Sequence, residues 1–188
     1  MATKIRVCVP GFVSQARRDY FSLLDQIQKN YELLSHGFVF DFLGGVDPND
    51  TSSNLIIHRI RHLATLGIQC LYYEKALVET QEFDYNCSLC DIILGNTNIQ
   101  VDKYSAYGKT KESGIPFAMI KFAKPGILPQ GYNTIPELTS STILFESYEQ
   151  LGYLLTQLTW ERLHELKVRA KENAIYFSPE AIFKTILA

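Results

Sequence analysis

Lys111-Glu-Ser-Gly-Ile-Pro-Phe-Ala-Met-Ile-Lys-Phe-Ala-Lys-Pro-Gly-Ile-Leu-Pro129 reads as a glycine-bearing loop, an amphipathic helix, and a buried strand announced by Lys124-Pro125. Ser113 and Gly114 stand where the helix begins. The unpaired N–H groups of its first turn and the positive end of its dipole therefore point into the preceding loop. That is an anion site in waiting, and phosphate is the usual occupant. Every helix has an N-terminus, so the surroundings decide how much this one means.

Outward from that stretch, strands and helices alternate. Lys4–Pro10 is a short apolar run closing at Gly11, followed by a loop carrying Arg17 and Arg18. Tyr20, Leu23, Leu24, Ile27 and Tyr31 recur at helical spacing. Phe38–Leu43 is a second strand ending at Gly44-Gly45, and Leu55–Leu66 is helical with Ile56, Ile60 and Leu63 on one stripe. Gln69–Tyr73 is a third strand, Glu79–Cys90 holds a short helix, and Asp91–Gly95 is a fourth strand. Beyond the Pro125–Leu128 strand comes a sixth at Thr142–Phe145, then two helices around Leu151–Leu158 and Leu163–Ala170.

Short apolar strands without strict alternation, separated by helices, indicate a parallel sheet covered on both faces. The expected fold is α/β, a doubly wound, mostly parallel Rossmann-like sheet of about six strands with helices on both faces. Such folds bind ligands beyond the carboxyl ends of their strands, where strand order reverses. The loops to watch are Gly11–Arg18, Gly44–Asp50 and Gly95–Glu112.

Bulk properties narrow the class. At 188 residues and 46% hydrophobic content the chain suits one domain with a full core, not a disordered tail. A formal net charge of −2 gives no reason to expect nucleic-acid binding. No stretch reaches the roughly 20 apolar residues of a spanning helix, and the start lacks a signal-like run. A cytoplasmic location is expected, with membrane contact only through a lipid-linked acceptor. Of four cysteines, Cys8 and Cys70 fall in strands, and Cys87-Ser-Leu-Cys90 lacks the second pair a zinc site needs. His58 and His62 could share a metal at helical spacing, but Arg59 and Arg61 flank them and a solvated basic face is the expectation.

Several of these motifs, in this order, resemble the C-terminal half of a GT-B fold retaining glycosyltransferase, a class with many sugar transferases for surface polysaccharides. They are the strand Val7–Pro10 with Gly11, the basic pair Arg17-Arg18, the helix Asp19–Gln28, and the Asp-led strand Asp91–Gly95. The loop, helix and Lys-Pro strand Tyr107–Pro129, the pair Pro136-Glu137 and the closing helices to Phe177-Ser178 complete the series. The resemblance implies that residues 1–188 form a single nucleotide-sugar-binding domain. Its substrate would be a nucleoside-diphosphate sugar, no further cofactor would be required, and an N-terminal acceptor-binding domain would act with it in cis or in trans.

On that resemblance Arg17 and Arg18 grip the diphosphate, and Gly11 lets the backbone approach it. Asn96 lies near the base or ribose. Lys109, Lys111, Ser113 and Gly114 face the diphosphate and sugar, and Glu112 is the candidate catalytic carboxylate. The family usually carries two glutamates separated by seven residues here; Thr110 and Ala118 occupy those places. That substitution keeps open a second reading, a non-catalytic module that retained the fold and lost its donor chemistry. A flavodoxin-like or response-regulator-like binder fits poorly, because the acidic cluster expected at the strand ends is missing.

Overall fold

Neighbouring residues of the inner strands go to different cores, and this explains the continuous apolar runs. In the computed structural model, which describes residues 3–100, 102–111 and 113–186, the strands are β1 (Ile5–Pro10), β2 (Phe38–Leu43), β3 (Gln69–Tyr72), β4 (Ile92–Leu94), β5 (Gly126–Pro129) and β6 (Thr142–Phe145). All pair in parallel, in the order β3-β2-β1-β4-β5-β6. The helices are α1 (Tyr20–Lys29), α2 (Tyr31–Gly37), α3 (Thr51–Thr65), α4 (Thr80–Leu89), α5 (Gly114–Phe122), α6 (Tyr148–Gln157), α7 (Trp160–Ile175) and α8 (Pro179–Ile186). A short 3-10 turn spans Pro136–Ser141.

One face of the sheet sends Val7, Val9, Phe40, Phe42, Ile92 and Leu94 into a core closed by α1, α3 and α6. The other sends Cys8, Leu43, Ile93 and Leu128 against Cys87 of α4, Cys90 just beyond it, and Ile115 and Met119 of α5. Both faces are buried, so no polar alternation is possible. The expected α/β, Rossmann-like, doubly wound sheet of six strands is what forms.

Local signals set the helix ends. Asp19 caps α1, its carboxylate accepting from the Ser22 N–H at 3.0 Å, and Tyr20, Leu23, Leu24 and Ile27 bury one stripe completely. Tyr31 does not continue that stripe. Asn30 ends α1 by donating its side-chain amide to the Gln26 carbonyl at 2.8 Å, and Tyr31 opens α2 at 38% exposure. At the far end of α5, Ala123 takes the left-handed conformation (φ 48°). Its N–H bonds the Ile120 carbonyl and the Lys124 N–H bonds that of Met119, after which Pro125 forbids more helix.

One buried charge interrupts the second core. Asp41 is 0% exposed, with Arg6 Nε at 2.5 Å and the Cys90 thiol donating to the same oxygen at 3.3 Å. Burial pushes its carboxyl up, against the Arg6 guanidinium, which pulls it down. Cys87 and Cys90 are fully buried, and Cys8 Sγ lies 3.9 Å from Cys87 Sγ. His58 and His62 lie on the exposed side of α3, where Arg59 pairs with Asp25 and Arg61 with Glu74. Among the described residues no helix is long and apolar enough to cross a membrane.

The chain starts in the middle of the sheet, lays β2 and β3 to one side, then returns to place β4 against the other edge of β1. Strand order therefore reverses between β1 and β4. The loops leaving their carboxyl ends splay apart there and form a crevice.

Candidate functional site

Three neighbours shape the loop after β1. The Gly11 N–H donates to the Leu43 carbonyl at 3.0 Å, and the Val13 N–H to that of Gly45 at 2.9 Å. Gly11 sits at φ 104°, and a Cβ on Gly44 would stand 2.0 Å from the Gly11 carbonyl oxygen. Only glycines fit where the two backbones touch. The start of α3 pins the next residues: Ser53 Oγ donates to the Val13 carbonyl at 2.5 Å, and the Gln15 N–H donates to Ser52 Oγ at 3.2 Å. The end of β4 pins the last: the Asp19 N–H donates to the Asn96 carbonyl at 2.8 Å and the Asn98 N–H to that of Arg17 at 3.1 Å. This antiparallel bridge sets Arg18 opposite Thr97.

Between these loops lies a cleft of about 420 Å³ lined by Phe12, Ser14, Ala16, Arg17, Arg18, Thr97 and Tyr107. That is large enough for a small-molecule ligand. Arg17 is exposed and Arg18 half-buried, and among the described residues neither has an ion-pair partner. Arg18 folds over Gly11 and offers Nη1 to Asn96 Oδ1 at 3.4 Å, a long bond. Asn96 and Thr97 are 0% and 4% exposed, yet Asn96 Nδ2 and Thr97 Oγ1 have no hydrogen-bond partner among the described residues. Two tyrosines brace the backbone of the two loops: Tyr20 donates its hydroxyl to the Gly11 carbonyl at 3.2 Å, and Tyr148 donates to that of Asn96 at 3.3 Å. Burial pushes the Tyr20 phenol up to about 12, and it pushes the Tyr148 phenol up as well.

Of the residues singled out in the sequence, Gly11, Arg17, Arg18 and Asn96 are brought together here. Lys109, Lys111, Ser113 and Gly114 do not line the cleft. Lys109 is exposed, and the Lys111 backbone pairs with Tyr107 and accepts from the Gly108 N–H at 2.9 Å. Ser113 is buried as the cap of α5, its Oγ accepting from the Ile115 N–H at 3.3 Å and lying 2.8 Å from the Tyr132 hydroxyl. The start of α5 has thus already used one of the donors that made it an anion-site candidate. Gly114 is exposed, with open space at its Cβ position. Glu112 lies outside the described residues.

Thr110 Oγ1 accepts from the Ala106 N–H at 2.9 Å and lies 3.3 Å from the Tyr104 carbonyl, so the hydroxyl is spent on the loop itself. Ala118 is 6% exposed and faces the second core, beside residues such as Met119 and Leu128. Phe12, Ser14, Ala16, Thr97 and Tyr107 are lining residues that the sequence did not single out. Thr97 directly follows Asn96 at a strand end, which is a signal. Tyr107 arrives through the loop's own folding, its N–H held by the Ile99 carbonyl at 2.9 Å, and nothing local marks it.

Known structures share the fold. No protein-family model and no curated protein matches the sequence. The C-terminal domain of a glycosyl transferase group 1 family protein (LpcC) from Francisella tularensis superposes with TM-score 0.60 at 10% identity, covering 93% of this chain and 86% of that one. The likeness is one of fold. The trehalose-6-phosphate phosphatase N-terminal domain from Candida albicans matches with TM-score 0.58 at 12% identity, over 92% of this chain and 39% of that one. An alpha,alpha-trehalose-phosphate synthase (UDP-forming) from Burkholderia vietnamiensis matches with TM-score 0.57 at 13% identity, over 92% and 39%. The chain spans well under half the length of those last two proteins.

Proposed function

We propose that this chain binds a nucleoside-diphosphate sugar in the β1–β4 cleft and serves as the donor half of a glycosyltransferase. An N-terminal acceptor-binding domain, in cis or in trans, would supply the hydroxyl that receives the sugar. One observation carries the reading: Arg17 and Arg18 stand at the strand switch with no acidic partner among the described residues. Positive charge just ahead of a helix start is unfavourable unless an anion offsets it. A diphosphate does so, and guanidinium groups bind it with parallel charge-assisted bonds.

The reaction would be transfer of a glycosyl group from the nucleotide to a hydroxyl, with nucleoside diphosphate leaving. This reading requires no metal: the guanidinium groups would neutralise charge developing on the leaving diphosphate. Glu112 is the carboxylate proposed to act at the sugar. The fold shared with the glycosyl transferase domain supports the proposal without specifying base, sugar or acceptor.

A second reading, a non-catalytic binding module, draws on Thr110 and Ala118. The first is committed to its loop and the second to the core, so neither position offers a group to a sugar or ribose. A thermal-shift series with nucleoside diphosphates and their sugar conjugates tests the proposal, because a ligand bound only by the native state raises Tm. A rise with both fits the donor-domain reading. No rise with any nucleotide removes it.

A further inference from the structure

Asn96 and Thr97 have a feature that the basic pair does not explain. Each buries a polar atom, Asn96 Nδ2 and Thr97 Oγ1, without a hydrogen-bond partner among the described residues, and Thr97 lines the cleft. A buried polar group left unmade is costly, and few persist in native folds without a reason. The Asn96 backbone is held rigidly, its carbonyl accepting from the Asp19 N–H at 2.8 Å and the Tyr148 hydroxyl at 3.3 Å. Its side-chain Oδ1 faces Arg18 Nη1 at 3.4 Å, which turns Nδ2, a pure donor, to the unpaired side.

The chemistry of the pocket is one-sided. Arg17 and Arg18 can only donate, and the hydroxyls of Ser14, Thr97 and Tyr107 can donate as well. The buried Nδ2 of Asn96, whose side chain meets Arg18, is a further donor behind the lining. No carboxylate occurs among the described lining residues. A ligand rich in acceptors satisfies such a set, whereas sugar or ribose hydroxyls would lack charged acceptors. We infer that Asn96 Nδ2, Thr97 Oγ1 and the Arg18 guanidinium form a seat for one phosphoryl group of the ligand. This rests on the donor-domain reading but moves Asn96 from the base and ribose to the phosphate, and it makes Thr97 a specificity-determining residue.

Access follows from Arg18. Its one side-chain bond in the site, to Asn96 Oδ1, is long, so the guanidinium is free to turn toward a phosphoryl group arriving beside Asn96 and Thr97. The ligand-free chain then carries a stability cost that ligand removes. Thr97→Val keeps the shape and deletes the unpaired hydroxyl. It should raise the ligand-free Tm, by about 2–4 °C for each kcal/mol of relieved burial cost.

The test combines that melt with titration calorimetry, using inorganic pyrophosphate, ADP and UDP on the full chain. Pyrophosphate should bind within about threefold of the better nucleotide. Thr97→Val should weaken pyrophosphate and nucleotide alike, by about tenfold, the loss expected for one charge-assisted bond. Asn96→Asp, which also sets a negative charge against the anion, should weaken both by more. Thr97→Ser should restore binding. Nucleotide binding that Thr97→Val weakens while pyrophosphate binding stays unchanged overturns the seat and leaves the donor reading standing. Pyrophosphate binding with no detectable binding of either nucleotide keeps the seat and overturns the donor reading. A lowered ligand-free Tm for Thr97→Val shows the hydroxyl already satisfied and overturns the seat, independently of the second variant.

Discussion

The Arg18 guanidinium packs on the backbone of Gly11 so closely that a Cβ there would lie 2.1 Å from Nη2. Glycine at φ 104° is therefore both a conformational requirement and the surface on which the arginine rests. Gly11→Ala would strain the backbone by about 1–3 kcal/mol and expel the guanidinium from its place. Urea unfolding should show the lost stability, and nucleotide titration should show weaker binding. Wild-type affinity in a measurably destabilised variant would mean that Arg18 binds ligand from some other position.

Arg18→Ala separates the charge from the strain. Removing one charge-assisted hydrogen bond costs about 1.5–3 kcal/mol, so calorimetry should find nucleoside diphosphate binding at least about tenfold weaker. Stability should hardly change, because among the described residues the side chain makes only the long bond to Asn96. Unchanged affinity would place phosphate recognition elsewhere.

The sheet was readable because burial on both faces writes itself into the strands as unbroken apolar runs. Phe38–Leu43 and Thr142–Phe145 were expected at the boundaries they take. Helix breaks were harder: Tyr31 keeps the α1 periodicity, but Asn30 bonds back to Gln26 and ends the helix one residue earlier. The third closing helix, α8, had no separate expectation, since Pro179 follows the α7 pattern after only a short gap. In the site, position alone marked the loops Gly11–Arg18 and Gly95–Glu112 at strand ends, while Gly11 and Asn96 were singled out through the resemblance. Tyr107 was not, because bonds within its own loop, from its N–H to the Ile99 carbonyl and from the Gly108 N–H to the Lys111 carbonyl, bring it to the cleft.

Tyr20 ties the site to alkaline stability. Burial raises its phenol from 10.0 to about 12, so the folded chain holds that proton more tightly than the unfolded chain does. The stabilisation is complete below pH 10 and is lost as pH rises through about 12. A shift of this size corresponds to about 2–3 kcal/mol. Urea melts of wild type and Tyr20→Phe should therefore converge or cross as pH rises through that window. Parallel stability curves would show that Tyr20 ionises as freely in the fold as outside it.

Ala118 decides how far the family resemblance extends into α5. A glutamate at this place in the family pattern would be expected near the ligand, and by spacing alone residue 118 lies little more than a turn from the helix start. The fold turns it inward instead: Ala118 is 6% exposed and belongs to the same cluster as Ile115, Met119 and Leu128. Ala118→Glu must then place a carboxylate among apolar side chains, or distort the helix to let it out. Burial without a partner costs several kcal/mol, so the variant should melt well below wild type, with its deficit shrinking at acidic pH as the raised carboxyl takes up a proton. Ala118→Ser, which adds one small polar atom at the same place, should cost far less, and nucleotide affinity should not change. A glutamate variant that melts like wild type and binds nucleoside diphosphate more tightly, with pyrophosphate binding unaltered, would instead put position 118 at the ribose.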